Sequence, residues 1–348
     1  MIKVGVLGST GYAGAELTRL LAGHPEAELI FLDSRRNEGQ PYSVMYPHLR
    51  GIVENRCISV DVEGEKPYGD ADVVFCALPH GLSQTAVQKG LESGVKVIDL
   101  SADFRIADPK VYETWYKTPH IALDALSQAV YGLVEINREK IKGANVVANP
   151  GCYPTSILLA TYPLLKAGLI SSEGLIADSK SGVSGAGRNL SDGSLYGQSN
   201  ESVKAYGIGT HRHTPEIEQL LSDAAGTPVL IQFTPHLIPM TRGILSTIYA
   251  QPKKGITEAE IAKAYAEAYQ DAPFVRVLPS GEFPQTKAVA GSNFCDIGYK
   301  LDTRTNRIVL VSAIDNLIKG AAGQAVQNMN LMFGLKETVG ISQMPLWP

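Results

Sequence analysis

Ile2-Lys3-Val4-Gly5-Val6-Leu7-Gly8-Ser9-Thr10-Gly11-Tyr12-Ala13-Gly14 decides the fold. A short, largely apolar run ends in glycines spaced Gly-x-x-Gly-x-x-Gly, and the residues that follow place Ala13, Leu17, Leu20 and Leu21 at helical spacing. Strand, glycine turn and helix in that order open a βαβ unit. Glycines let the backbone turn tightly and approach a pyrophosphate, and the start of the helix offers unpaired N–H groups to the same anion. Gly8, Ser9, Thr10, Gly11, Tyr12, Ala13 and Gly14 are therefore candidate cofactor-binding residues. The spacing departs from Gly-x-Gly-x-x-Gly, and a glycine turn without a ligand is the competing reading. The strand before it and the helix after it favour the cofactor.

Outward from this loop, apolar runs at 29–32, 73–78, 95–100 and 146–148 alternate with helical stretches such as 83–92, closed by Gly94. Strands that are apolar throughout imply a parallel sheet covered on both faces. Past residue 150 the texture changes. A helix is expected over 155–165, and strand-like stretches at 174–179, 229–234, 244–251 and 307–312 are longer and more widely spaced. Thr257, with Glu260 three residues on, reads as the capping box of a helix over 257–269, and 316–333 is helical again. The expected fold class is α/β: a Rossmann-type parallel-sheet domain plus an α+β domain whose sheet is mixed or antiparallel, with helices on one face.

A length of 348 residues exceeds one ordinary core and agrees with two domains. With 44% hydrophobic and 19% charged residues the chain reads as globular, which excludes a disordered or fibrous protein. A formal net charge of −4 provides no basic field for nucleic acid or anionic membrane, so an anionic ligand must be held by locally placed cations. No apolar run is long enough to span a bilayer, and the chain opens on a strand rather than a signal peptide. Cys57, Cys76, Cys152 and Cys295 form no Cys-x-x-Cys pair, so free thiols and a cytoplasmic location are expected.

The end of the second strand usually separates the two nicotinamide cofactors. Asp33 stands where an acid would read the free ribose hydroxyl of NAD. Ser34, Arg35 and Arg36 follow at once, and a hydroxyl with guanidinium suits a 2′-phosphate. The signals conflict. The adjacent arginines favour NADP over a merely solvated charge cluster.

Asn149-Pro150-Gly151-Cys152-Tyr153-Pro154-Thr155 lies between a buried strand and a helix. The partial positive charge of a helix start favours a thiolate, and its N–H groups can stabilise an oxyanion. A buried small hydrophobe is the competing reading of Cys152, while Cys57, Cys76 and Cys295 lack this setting. A thiolate nucleophile needs an acid–base partner, and His211-Arg212-His213-Thr214-Pro215-Glu216 supplies two histidines before another helix, with Thr214 and Pro215 reading as N-cap and N1. Zinc lacks companion ligands, so no metal is expected. Two more segments end in arginine: the small-residue loop Ser181–Arg188, suited to a phosphate or carboxylate, and the proline-stiffened Pro235–Gly243.

Together these segments resemble the N-acetyl-gamma-glutamyl-phosphate reductase family, within the aspartate-semialdehyde and glyceraldehyde-phosphate dehydrogenases. The resemblance covers the whole chain. It rests on the glycine loop, Ala77–Gly81, Asp99–Arg105, Val130–Leu133, the cysteine loop, Ser181–Arg188, His211–Glu216, Pro235–Gly243 and Asp315–Ala325. It implies NADP(H)-dependent reduction of an acyl phosphate in arginine biosynthesis, with Cys152 as nucleophile. His211 is expected to supply proton transfer, with His213 as the alternative. It implies Ser34, Arg35, Pro79, His80, Gly185 and Asn316 at the cofactor. Arg105, Asn149, Ser181, Arg188, Arg212, His236 and Arg242 are the candidates to hold the substrate. Residues 1–148 with 316–348 would form the NADP-binding domain, and 149–315 the catalytic and dimerisation domain of a homodimer or homotetramer. The same chemistry on N-acetyl-aminoadipyl phosphate or aspartyl phosphate, and a catalytically silent NADP-binding sensor, remain as rival readings.

Overall fold

The structure of the chain, a computed structural model, describes residues 1–347. It divides into two units: Met1–Pro150 with Ala321–Ser342, and Gly151–Gly320 with 343–347. Pro348, the last residue of the segment expected to return to the first domain, lies outside the described residues.

The first unit is built on seven strands: β1 (Ile2–Leu7), β2 (Ala27–Asp33), β3 (Cys57–Ile58), β4 (Val73–Cys76), β5 (Lys96–Asp99), β6 (Val130–Tyr131) and β7 (Val146–Ala148). All pair in parallel, in the order β3-β2-β1-β4-β5-β7-β6. β4 and β7 are buried along their whole length, as strands covered on both faces must be. The chain leaves β1 for β2 on one side and later returns to β4 on the other, so the sheet's switch point lies at the end of β1, where the glycine loop begins. β3 and β6 are two residues each, too short to leave a periodic signal. Every residue of the helix Gly323–Met332 is buried, so its polar side chains are spent on internal bonds. The Gln324 and Asn328 amides each donate to the Gly132 carbonyl at 2.9 Å, and Asn330 Oδ1 lies 2.9 Å from His24 Nε2.

The second unit carries β8 (Leu175–Gly182), β9 (Lys204–Ala205), β10 (Ile231–Ile238), β11 (Ile244–Ala250), β12 (Val275–Val277), β13 (Cys295–Asp302) and β14 (Arg307–Ile314). Their order is β12-β13-β14-β11-β8-β10-β9, with β8/β10 and β12/β13 parallel and the other pairs antiparallel. This is the mixed sheet expected. The helix Cys152–Lys166 packs on β11, β13 and β14, flanked by Thr214–Ala225 and Glu258–Tyr269. The Thr257 capping box is present: Thr257 Oγ1 accepts from the Glu260 N–H, and Glu260 Oε2 accepts from the Thr257 N–H at 2.8 Å.

One local expectation differs from the structure, and two stretches of strand were not expected. The helix after the histidines is capped by His213, which places Thr214 at N1 and Pro215 at N2, because the Ile217 N–H already reaches the His213 carbonyl. Pro235–Ile238 is strand and pairs in parallel with 179–182. β13 was hidden by Gly298, where a Cβ would stand 2.7 Å from the Glu282 carbonyl oxygen.

Candidate active site

In the first unit the glycine loop is fixed by contacts that only glycine permits. Gly8 has φ +69°, and a Cβ there would run into the Ala77 carbonyl oxygen. At Gly14 a Cβ would crowd the Gly8 carbonyl and stand 2.8 Å from Ser9. Gly11 caps the helix Tyr12–Ala22, which has no side-chain cap and no acid in its first turn. Ser9 is spent on the fold: its hydroxyl donates to the Asp33 carbonyl at 2.9 Å, and its carbonyl accepts from the Tyr42 hydroxyl at 2.7 Å. Tyr46 likewise donates to the Thr10 carbonyl.

Asp33 is engaged within the fold. Its carboxylate is buried and accepts the Gly8 N–H at 3.1 Å and the Val60 N–H at 3.0 Å. The acid that resembled a ribose reader is a brace for the glycine loop. Ser34 bonds Thr10 Oγ1 at 2.9 Å, which ties the end of β2 to the loop. Arg35 and Arg36 are exposed on a single 3₁₀ turn beside it. Next to the loop, Asp103 accepts from the Gly81 and Ser83 N–H groups and the Tyr112 hydroxyl, and His80 Nδ1 accepts from the Ala102 N–H at 3.1 Å. Pro79 and His80 are thus held on an exposed, braced turn.

Arg105 and Asn149 are buried and structural in character. The Arg105 guanidinium donates to the Asn149 and Leu100 carbonyls, each at 2.7 Å, and the Asn149 amide bridges Ala321 and Asn328. They stiffen the chain as it approaches the cysteine.

In the second unit Cys152 is the first residue of the helix Cys152–Lys166, with Gly151 as N-cap. It is half-buried, whereas Cys57, Cys76 and Cys295 are buried. The Gly151 N–H donates to Glu216 Oε1 at 2.8 Å, and Glu216 is fully buried. A Cβ on Gly151 would lie 2.6 Å from His213 Nε2 and 2.9 Å from two of its ring carbons, so the His213 ring lies across Gly151. On the other side a Cβ on Gly320 would be 2.8 Å from Cys152 Cβ. Both glycines are needed to close the backbone around the thiol.

His211 sits one ring further out. It contacts Tyr153, Tyr206, Phe233 and His213 edge-on, with centroids 4.9–5.6 Å away. Its Nδ1 accepts from the His213 N–H at 3.1 Å, so its proton is on Nε2. Burial, with the Arg212 charge adjacent, holds it down at about 4. Arg212 and Arg188 are exposed. Glu216 escaped the sequence reading as a site residue; its signal was an acid beside the apolar Ile217, Leu220 and Leu221 in the first turns of a buried helix.

The loop after β8 and the loop before β11 are bonded together. The Gly182, Val183 and Ser184 N–H groups donate to the Gly243, Met240 and Thr241 carbonyls. Asn316 joins them, its Oδ1 accepting the Gly243 N–H at 2.8 Å and its amide donating to Ser184 Oγ at 3.0 Å. Gly185 lies against the same amide. Ser181, Gly185 and Asn316 are thus brought into one cluster. Arg242 is paired with the buried Asp315 at 3.6 Å, and His236 Nδ1 lies 3.4 Å from Asp178.

The first unit matches the model of the semialdehyde dehydrogenase NAD-binding domain over residues 3–144, and the second that of the semialdehyde dehydrogenase dimerisation domain over 152–316. Solved structures agree in fold. An aspartate semialdehyde dehydrogenase II from Vibrio cholerae, complexed with ASA, has a TM-score of 0.72 at 19% identity, covering 96% of this chain and 98% of that one. An aspartate semialdehyde dehydrogenase with NADP from Candida albicans has a TM-score of 0.69 at 17% identity, covering 96% and 98%. Fold and cysteine loop define a two-domain semialdehyde dehydrogenase, an oxidoreductase. Within that class the relatives are specific. Proteins named N-acetyl-gamma-glutamyl-phosphate reductase from Alkaliphilus metalliredigens, Desulforudis audaxviator and Geobacter metallireducens are 63%, 53% and 54% identical, each with full coverage of both chains. The chain belongs to the N-acetyl-gamma-glutamyl-phosphate reductase family.

Proposed function

We propose that the chain reduces N-acetyl-gamma-glutamyl phosphate to N-acetylglutamate 5-semialdehyde and phosphate with NADPH, through a thioester on Cys152, as a step of arginine biosynthesis. The observation that carries this is the half-buried Cys152 at a helix start, with its N-cap Gly151 held by Glu216 and covered by His213.

The first unit fits NADP. The uncapped helix behind Gly8–Gly14 suits a pyrophosphate, and Arg35 and Arg36 with Ser34 suit a 2′-phosphate now that Asp33 is engaged elsewhere. NADPH, when bound, supplies the hydride that the thioester carbon receives. Everything else falls to the chain. The Cys152 sulfur attacks the acyl carbon, the bond to the phosphate oxygen breaks, and phosphate leaves. After reduction the carbon bears an oxyanion beside the helix N–H groups, which stabilise it. The C–S bond then breaks, giving the aldehyde and the thiolate. His213, set against Gly151, is the group we assign to proton transfer to the leaving phosphate, in preference to His211. The exposed Arg188 and Arg212 suit the substrate's carboxylate and phosphate, with Ser181, His236 and Arg242 beside them.

For the domains, the grouping of Ala321–Ser342 with the first unit supports an NADP-binding domain of 1–148 completed by a returning C-terminal segment, although 316–320 and 343–347 group with the second. Catalysis and dimerisation would fall to 149–315, and the dimerisation-domain match supports a homodimer or a homotetramer built from it. No helix of the described residues is long and apolar enough to cross a membrane, in keeping with a cytoplasmic enzyme.

The test is the reaction run backward. N-Acetylglutamate 5-semialdehyde with phosphate and NADP is expected to give NADPH only when all three are present. Absence of phosphate-dependent NADPH formation overturns the reading.

A further inference from the structure

Four serines line up beneath the helix that carries Cys152. Ser179 on β8, Ser246 on β11 and Ser312 on β14 stand directly opposite one another in the strand registers, so they form one row across three strands. The fourth, Ser156, is on the helix, one turn after Cys152. All four are fully buried. Ser156 Oγ donates to Ser246 Oγ at 2.9 Å, and Ser246 and Ser179 hydroxyls are 2.8 Å apart. The single Ser312 hydroxyl proton faces both Ser156 Oγ, 2.6 Å away, and the Ser156 carbonyl, 2.8 Å away.

Packing alone does not ask for this. A helix resting on a sheet needs small side chains where it comes close, and alanine would serve without any polar atom to desolvate. Hydroxyls add direction. A hydroxyl bonds only along its own O–H and lone-pair directions, so a chain of four holds only at one axial position and one rotation of the helix. That position matters at the helix start. β14 leads through Ile314 to Gly320, where a Cβ would stand 2.8 Å from Cys152 Cβ, so there is no room for a side chain. The same stretch of chain therefore holds the helix at Ser156, through Ser312, and abuts the cysteine one turn away. A small slide of the helix either presses Cys152 into Gly320 or withdraws it.

We infer that Ser156, Ser246, Ser179 and Ser312 are positioning residues that fix the site of the Cys152 sulfur by locking its helix to the sheet. This rests on the reading of Cys152 as nucleophile, but it is read out separately.

The experiment compares Ser156→Ala and Ser179→Ala with Thr161→Val. Thr161 is equally buried on the same helix, and its hydroxyl has no partner, so removing it perturbs the helix without touching the chain. Two quantities are measured: steady-state kcat and KM, and the rate at which iodoacetamide labels Cys152, followed by mass of the labelled peptide. Ser156→Ala is expected to lower both kcat and the labelling rate about tenfold, with KM for the acyl phosphate within twofold of wild type. Ser179→Ala, two hydrogen bonds away, is expected to give a smaller loss of the same kind, and it carries the test if Ser156→Ala does not fold. Thr161→Val is expected to change neither. Wild-type kcat and labelling rate in the folded serine variants, or an equal loss in Thr161→Val, overturns the inference. Turnover by Cys152→Ser would overturn the nucleophile instead and leave the labelling rates as a test of the chain.

Discussion

Two histidines stand within two residues of each other, and their surroundings separate them. His211 is enclosed by Tyr153, Tyr206 and Phe233, and burial with the Arg212 charge holds it at about 4. It is neutral at any pH near 7 and so carries no imidazolium proton to give a leaving group, which suits a wall of the site better than an acid. His213 has its ring across Gly151, next to Cys152, the proposed nucleophile. His213→Asn is therefore expected to lower kcat by a factor on the order of 10²–10⁴, the usual worth of a positioned acid or base. His211→Asn is expected to fall well short of that. Comparing the two in one steady-state assay checks the assignment; the reverse ranking returns it to His211. Arg35 and Arg36 face solvent beside the glycine loop. Arg35→Ala is expected to raise KM for NADPH about tenfold, the worth of one hydrogen bond to a charged group, and to leave KM for NADH unchanged. Equal losses with both nucleotides would remove the 2′-phosphate contact.

At the scale of elements, the glycine loop shows how a sequence signal can be right about a place and silent about a function. Asp33 stands where an acid is expected to read a ribose, and only the structure reveals that its two oxygens are taken by the Gly8 and Val60 N–H groups. Asp33→Asn puts an amide donor where an acceptor is needed. It is expected to weaken NADPH binding and to lower stability by about 1–3 kcal/mol, without improving NADH as a substrate. A gain in NADH use, measured as the ratio of kcat/KM for the two nucleotides, would restore the ribose-reading role. The long apolar strands and the amphipathic helices were legible because burial imposes a period on them. β3, β6, β9 and β12 were not, since two or three residues carry no period. Nor was the brace formed by Asp103, Ser101 and Tyr112, because a buried acid is defined by partners distant in sequence. The cysteine loop was legible for the opposite reason: a thiol, a glycine and a helix start are contiguous. Glu216 and the serine row depend on registers between strands and helices, which no single segment announces.

For the whole molecule, two buried groups pull stability in opposite directions with pH, one in each unit. His211 in the second unit is depressed to about 4. The unfolded chain then binds the extra proton first, so stability falls as pH drops from about 6.5 toward 4. Asp99 in the first unit is pushed up to about 7, by burial and by the Asp103 charge, against two hydrogen bonds from Ser101 and the Arg105 charge. Here the folded chain holds the proton longer than the unfolded one. Stability is full near pH 4 and declines as pH rises toward 7, beyond which the loss is complete. The Asp99 carboxyl accepts the Ser101 N–H at 3.0 Å and faces the Ser101 hydroxyl at 2.7 Å. An asparagine can keep both bonds by accepting one and donating the other, while carrying no charge to desolvate. Asp99→Asn is thus expected to match wild type near pH 4 and to exceed it increasingly up to pH 7, by a few kcal/mol, read as a Tm rise of several degrees. Thermal unfolding of wild type and variant at half-unit intervals from pH 4 to 8 checks the shape. A difference that does not change with pH, or one that appears only below pH 5, would mean that Asp99 keeps its charge in the folded chain.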